Sequence, residues 1–483
     1  MSETTENTSR IVVLGGGLAG LAAAHASLER GDCQVTVLEA EPEPGGMARS
    51  LEVEGLRSDY GPHRIYSCIP EMRQWFDDFL GDRLMTVERR SRMYFDDQWM
   101  RYPPSVVELV KVMGPGRIWH FGKGWISAKA RSMSGNLPPD SFAAVMEANF
   151  GRPMCEALVF PYIRKTWKLE PDEISADAAR ARATMGGPAK MLKRMLNPRE
   201  KPGEESSLRE FHYIRGGIEE LSRILVEKIE KAGGRVLTNA EVTQIDIEDG
   251  QANRVLFFDK DNHSHSLEAD FIYSSIPITN LVAALKRGGH HDASRLTASL
   301  GLRYLRAMLA FLVLDREAVS EDHWLYFPQN KPAVTRAYEP KNFDESLAPR
   351  DRTLLCVEAT DLEGGIEWML RDRDLATEFA TRVEETGVID RKQVLAHAVR
   401  RIEHAYPLYE KGYRENVDAV FAGLKKIQNL LPIGRQGLFQ HNNMDHTIYT
   451  ALRAAQCRRE SEKPTTQWYN ENIPKFRDFR IVD

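Results

Sequence analysis

The chain has 483 residues, 42% hydrophobic and 28% charged, which is enough to bury a large core in two or three domains. A formal net charge of −5 removes any global case for nucleic-acid binding. Five scattered cysteines without a Cys-x-x-Cys pair suit reduced thiols in a cytoplasmic setting, not a disulfide scaffold.

In chain order, Met1–Arg10 is polar and reads as a tail without the apolar core of a signal peptide. Ile11–Leu14 is then a short buried strand, followed by Gly15, Gly17 and Gly20 in Gly-x-Gly-x-x-Gly spacing. Leu18 and Ala19 lead into an Ala- and Leu-rich helix that continues through Leu21–Leu28. A second apolar strand, Val35–Leu38, ends at Glu39 and Ala40. In a dinucleotide-binding βαβ unit the first two glycines let backbone approach a pyrophosphate, and the third lets helix and strand pack closely. The helix N-terminus offers unpaired N–H groups to the phosphates. Glu39, 19 residues after Gly20, is placed to accept from a ribose diol and would repel a 2′-phosphate. Ile11–Leu28 runs 18 residues without a formal charge, yet its glycines and helix-opening turn argue against a membrane span.

A Pro/Gly loop follows, Ala40–Ser50, in which Gly45 and Gly46 permit a sharp path and Arg49 would bring positive charge near the phosphates. Leu51–Tyr60 reads as a hairpin turning at Glu54-Gly55, leading to Gly61-Pro62-His63-Arg64. The series Gly-x-Gly-x-x-Gly, terminal Glu and Gly-Gly-Met-Ala-Arg resembles the flavin enzymes that include amine oxidases, protoporphyrinogen oxidases, phytoene desaturases and UDP-galactopyranose mutases. The resemblance implies FAD as cofactor, with Gly46, Met47, Ala48 and Arg49 along the dinucleotide and Gly61, Pro62 and His63 bordering the flavin ring. It also implies that the strand near Val242 covers the adenine.

Glu71–Leu80 has the spacing of an amphipathic helix, and Arg90–Pro103 that of a strand pair turning at Asp96-Asp97. Ser105–Met133 is helical, basic and aromatic; a lid with aromatics in the core and solvated cations is favoured over a membrane-surface contact. Phe160–Trp167 is similar to the Tyr-x-x-Lys-x-Trp motif of the mutases, which implies that Tyr162 and Trp167 stack on a substrate base; a core role for Trp167 stands beside that reading. Arg180 and Arg182 follow two apart on a helix, so they cannot fully share a face. Leu192–Ser207 reads as an exposed loop, and Ile218–Ala232 as an amphipathic helix. Strands are expected at Arg235–Leu237, Val242–Ile247, Arg254–Asp259 and Phe271–Ser275, the middle two turning at Asp249-Gly250.

Leu300–Leu314, Trp324–Phe327, Thr353–Glu358 and His397–Tyr406 are strand-like, with a helix over Asp372–Glu385. Val334–Phe343 resembles a Thr-Arg-x-x-Glu-x-Lys-x-Phe segment of the sugar mutases, making Arg336 and Lys341 candidates to hold an anion. Near the C-terminus, Leu431–Ile448 is similar to the Gly-Arg-x-Gly…Met-Asp-x-x-Ile ending of the mutases and related oxidases, which implies that Gly434, Arg435, Asn443, Met444 and Ile448 lie along the cofactor; a turn feeding a helix with its body at Thr447–Gln456 would aim N–H groups at the flavin edge where reduction leaves charge. Where the mutases carry a Tyr and an Asp, this chain has His441 and Asn443. The tail after the helix reads as polar.

The expected fold is α/β: a Rossmann-like FAD domain from 1–68, 208–283 and 415–460, a helical lid at 69–207, an antiparallel substrate sheet at 284–414 and a tail at 461–483. The expected catalytic set is His63, Arg336 and Arg435, with Tyr162, Trp167, Arg182, His441 and Asn443 toward substrate. His290-His291 and His263-x-His265 read as solvated, with no metal site expected. No second dinucleotide fingerprint or Gly-x-Ser-x-Gly elbow is present, so electrons would leave to oxygen, a quinone or a partner. The function expected is hydride removal from a small, anionic substrate, with mutase chemistry on a sugar nucleotide as the alternative. Oligomeric state does not follow.

Overall fold

Strands buried on both faces need no polar alternation, and the apolar runs of this chain become such a sheet. In the computed structural model, which describes residues 8–29, 31–133, 140–181, 210–290 and 297–481, five parallel strands form it. They are β1 (Ser9–Leu14), β2 (Cys33–Leu38), β9 (Arg235–Leu237), β13 (Phe271–Ser274) and β19 (Leu430–Pro432), in the order β19-β13-β1-β2-β9. Helix α1 (Leu18–Leu28) is buried along nearly its whole length. It packs between α6 (Glu219–Lys231) and α10 (Met444–Glu460). Arg182 and the Leu192–Ser207 loop lie outside the described residues.

A second, seven-stranded sheet has the order β18-β14-β17-β16-β15-β6-β7. Its strands are β6 (Ser91–Phe95), β7 (Gln98–Arg101), β14 (Tyr304–Leu314), β15 (Trp324–Tyr326), β16 (Arg336–Tyr338), β17 (Thr353–Asp361) and β18 (Val394–Pro407). All its neighbours are antiparallel except β6 and β15. One face buries Leu312, Leu355 and Val357 against Leu375, Phe379 and Val383 of α8 (Asp372–Glu384). The other packs on a hairpin, β3 (Ser50–Val53) and β4 (Leu56–Asp59), and on β8 (Glu210–Ile214), which pairs with β5 (Leu84–Glu88). The remaining strands, β10 (Glu241–Glu248), β11 (Gln251–Phe258) and β12 (Ser264–Glu268), form a separate antiparallel sheet.

The three expected turns appear where the residues permit left-handed backbone: Glu54-Gly55 (φ 52° and 79°), Asp96-Asp97 (47° and 57°) and Asp249-Gly250 (50° and 77°). Helix α2 (Pro70–Leu80) buries Met72, Phe76 and Leu80. Helices α7 (Ile278–Arg287) and α9 (Tyr413–Leu424) flank the parallel sheet.

The lid contains α3 (Val106–Met133), α4 (Phe142–Phe150) and α5 (Phe160–Trp167). Helix α3 breaks at Gly114 (φ 76°), just before Pro115, which cannot donate to the preceding turn. Three expectations change. Trp119 of α3 is 66% exposed, so the lid's aromatics are not all core, although Phe121 is buried. The strand expected from Leu300 starts at Tyr304, after a 3₁₀ turn at Thr297–Gly301. The tail is not a loose polar end: Trp468, Ile473, Phe476 and Ile481 are buried, and Trp468 Nε1 donates to Pro432 O at 3.1 Å. No helix among the described residues is long and apolar enough to cross a membrane.

Candidate active site

The glycine-rich turn leaves β1 through Gly15 (φ 95°), and a Cβ on Gly20 would lie 1.9 Å from Gly15 O. Only glycine allows that approach of helix to strand. Gly17 caps α1 with no side-chain hydrogen bond, so the helix N–H groups stay available to a ligand. The loop after β2 closes onto this turn: Gly45 N donates to Gly16 O at 2.8 Å, and a Cβ on Gly46 would stand 3.2 Å from Gly17 Cα.

Glu39 ends β2 with its carboxylate turned back to the turn, accepting from Gly16 N at 2.7 Å and from Glu41 N at 2.9 Å. Burial pushes its pKa up, and those two backbone donors hold it down. Ala240 N donates to Glu39 O, which brings the start of β10 and Val242 beside the same end of the turn. Ala40 is exposed. Met47 and Ala48 lie in the Gly46–Ala48 turn. Arg49 donates to Gly46 O, pairs with Glu41 at 3.2 Å and covers the Tyr60 ring. Gly434 packs against this unit, since a Cβ there would meet Ala19 Cβ at 2.6 Å; Ile448 is buried in α10.

From there a cavity of about 640 Å³ opens between the lid and the antiparallel sheet. Met47, Gly61, Pro62, His63, Tyr162, Trp167, Arg336, Arg435, His441, Asn443 and Met444 line it together. Arg336 stands opposite Glu358 in the β16–β17 register and binds it with both ends of its guanidinium, at 2.8 and 3.1 Å. Burial opposes the Arg336 charge, but Glu358 outweighs it and raises the pKa. Arg435 has no such partner. Its guanidinium donates to Asn442 O at 2.5 and 3.2 Å and to Ala405 O at 3.4 Å, and it lies over the Tyr406 ring. Burial lowers its pKa, reinforced by repulsion from Arg336. His63 is half-buried, with its Nδ1 atom buried and unpartnered, and its pKa falls to about 3 through desolvation first and the Arg435 and Arg336 charges second. The imidazole is therefore neutral at any physiological pH.

Trp167 stacks on His441, with ring centroids 5.1 Å apart and planes within 4°, so one indole face is covered by protein. His441 also places Nε2 2.7 Å from Pro407 O and stacks on Tyr406. Asn443 caps α10, its N–H donating to His446 Nδ1 at 3.4 Å. Lys341 does not reach the cavity; its ammonium donates to the carbonyls of Glu317, Pro349, Arg350 and Arg352 and fastens a loop. Two further residues matter here, Asn442 and Lys165, the latter being the Lys of the Tyr-x-x-Lys-x-Trp motif, to which no role was given. Asn442 is 1% exposed, lines the cavity, and has neither amide atom partnered by protein. Lys165, on α5, is enclosed by the carbonyls of Phe327, Gln329 and Pro332 and tethers that loop to the lid; burial lowers its pKa to about 7. The motif marks Lys165 as a position but not its carbonyl partners, which lie more than 160 residues away, and nothing adjacent marks Asn442.

A family model described as flavin containing amine oxidoreductase matches residues 18–410. The chain belongs to that family. The chain is 26% identical over 180 residues to protoporphyrinogen oxidase 2 of Arabidopsis thaliana, covering 34% of each chain. It is 27% identical over 276 residues to a neurosporene-forming phytoene desaturase of Rhodobacter capsulatus, covering 54% of this chain and 51% of that one. The matched region thus spans a third to a half of these relatives' length. Among solved structures it is similar in fold to reduced UDP-galactopyranose mutase, with TM-score 0.82 and 20% identity over 97% of this chain and 99% of that one. Putrescine oxidase bound to putrescine superposes with TM-score 0.60 and 15% identity, over 93% and 98% of the chains.

FAD is the cofactor of this family member, and the residues present fit it: a cradle of bare backbone at Gly17 and Gly46, an acid at the ribose position, and buried polar atoms of His63 and Asn442 unpartnered by protein. Gly15, Gly17 and the α1 N-terminus would hold the pyrophosphate, Glu39 the ribose, and Gly61–His63, Gly434, Arg435 and Asn443–Met444 the flavin end.

Proposed function

We propose that this protein is an FAD-dependent oxidoreductase that dehydrogenates an anionic small molecule. The observation that carries the reading is the imbalance of charge in the cavity. Among the described residues Glu358 is the only acid lining the cavity and is already bound to Arg336, while the Arg435 guanidinium meets carbonyl oxygens, the Met47 sulfur and the Tyr406 ring but no carboxylate. An anion there regains the Coulomb energy that burial costs the guanidinium.

Bound FAD supplies a hydride acceptor, and the protein supplies position and exclusion of water. Arg435 and the Asn442 amide hold charge and hydrogen bonds at the polar wall. His63, neutral and unpartnered at Nδ1, can accept a hydrogen bond there without adding charge. Tyr162 and the apolar lid residues close the opposite wall. With five cysteines and none paired, we place the protein in the cytoplasm.

The test mixes oxidised holoenzyme anaerobically with candidate acids of amine, polyene or reduced-ring type and follows the flavin band. Bleaching by an acid, and weaker bleaching by its methyl ester, supports the proposal. If no acid bleaches the flavin, while chemically reduced enzyme converts a UDP-sugar to its ring isomer and stays reduced, mutase chemistry replaces it.

A further inference from the structure

The cavity carries a second unneutralised arginine away from Arg435. Arg89 precedes β6, and its guanidinium lies 5.3 Å from the Trp324 ring centroid and 5.9 Å from that of Tyr102. Its Nε donates weakly to Ser91 Oγ at 3.4 Å, and its Nη1 is buried with no partner. The two arginines that follow it are served differently. Arg90 takes Glu321 at 2.7 Å and Glu88 at 3.6 Å, and Arg92 takes Asp322 at 2.5 Å. The local carboxylates are thus engaged by Arg90 and Arg92, and Arg89, which precedes both, faces the cavity without one among the described residues. Trp324 and Tyr102 line the same cavity and hold the guanidinium plane by cation–π contact, fixing its fork before a ligand arrives.

The sheet sets the separation. Arg336 lies on β16; β15 is next, and β6 follows it. Met93 of β6 is level with Arg336 through Tyr326, and Arg89 lies four residues before it, so two strand spacings and that offset place the Arg89 backbone roughly 16 Å from that of Arg336. The wall between is apolar, with Met93, Leu109, Leu158 and Leu309 among its members.

We propose that Arg89 is a specificity-determining residue: a remote anchor for an oxyanion, carboxylate or phosphate, at the end of the substrate farthest from the flavin. The substrate class is a molecule with an apolar body long enough to bridge the two cationic poles. This deepens the reading of an anionic substrate and rests on it, but binding is measured on oxidised holoenzyme without turnover, so either can fail alone.

The probes are 4-phenylbutyrate, 4-phenylbutyl phosphate and the neutral 4-phenylbutanol, titrated against the visible flavin spectrum. Wild type is expected to bind at least one anion about 10- to 100-fold more tightly than the alcohol, the range of one charged hydrogen-bonding pair. The better anion identifies the oxyanion type. Arg89→Met should erase that preference, and Arg89→Lys should restore part of it, with flavin content and melting temperature of both variants at wild-type values. The proposal is overturned if wild type shows no preference for either anion. It is also overturned if Arg89→Met keeps the preference while Arg435→Met loses it, which would put the anion at the flavin end.

Discussion

Two glycines of one motif should fail in different ways when changed to alanine. Gly17 has φ −72° and ψ 174°, a conformation open to any residue, and a Cβ there meets nothing closer than Gly46 Cα at 3.8 Å. The protein alone therefore accommodates Gly17→Ala, and the smaller entropy of the unfolded chain offsets any loss, so apo stability should move by less than about 1 kcal/mol. The methyl group instead occupies the approach path of the pyrophosphate. Losing one charged hydrogen bond there costs about 1.5–3 kcal/mol, a fall of roughly 10- to 150-fold in FAD affinity. At Gly20 the same methyl would lie 1.9 Å from Gly15 O, far inside the 3.0 Å limit of real contacts. The turn must open, so Gly20→Ala should lower apo stability by about 1–3 kcal/mol as overpacking does, and lose FAD as a consequence. Thermal melts of apo-protein and fluorescence titration with FAD separate the two. Wild-type FAD affinity in Gly17→Ala, or an unaltered apo melt in Gly20→Ala, would refute the assignment of roles.

Further outcomes are expected from the site and the tail. Glu39→Ala strips the acceptor from the N–H groups of Gly16 and Glu41, and FAD affinity should fall by a factor matching about 1–3 kcal/mol, read by the same titration. His63 has a folded pKa of about 3, below its ordinary 6.5, so the unfolded chain binds the proton first and stability contributed by the neutral ring is lost as pH falls from 6.5 toward 3. Asp59, raised to about 6 chiefly by burial, acts with opposite sign between 3.8 and 6, so the wild-type curve alone mixes the two; wild type should therefore lose stability relative to His63→Gln as pH falls from 6.5 toward 3, read as the difference between their melts. Trp468→Ala removes a fully buried indole and its bond to Pro432 O, and should destabilise by about 3–5 kcal/mol in thermal or urea unfolding; a shift under 1 kcal/mol would show that the tail is dispensable.

Much of this architecture was legible because its signals are local. The β1–α1–β2 unit follows from apolar runs and glycine spacing, and the turns at Asp96-Asp97 and Asp249-Gly250 follow from residues that tolerate positive φ. What escaped depends on distant pairing. Arg336 as a free anion binder looked sound until the β16–β17 register set it opposite Glu358. Trp167 resembled a base-stacking residue, yet His441, far along the chain, covers one face. Lys341 lies in the motif but reaches loop carbonyls instead. The tail read as polar because its buried residues, Trp468, Ile473 and Phe476, are few among charged neighbours and show no clean helical repeat.

The order of strands in the parallel sheet has a consequence for synthesis. On the ribosome β1 can pair at once with β2, since Ser9 meets Cys33. Its other edge waits for β13, whose Ser274 pairs with Leu14. At about 5–20 residues per second, the 260 residues between them take roughly 13–50 s to make. Throughout that interval an apolar strand edge stands open to any other nascent chain. Newly made protein should therefore depend on chaperone cover until β13 emerges, and fragments ending before Phe271 should aggregate where the full chain does not.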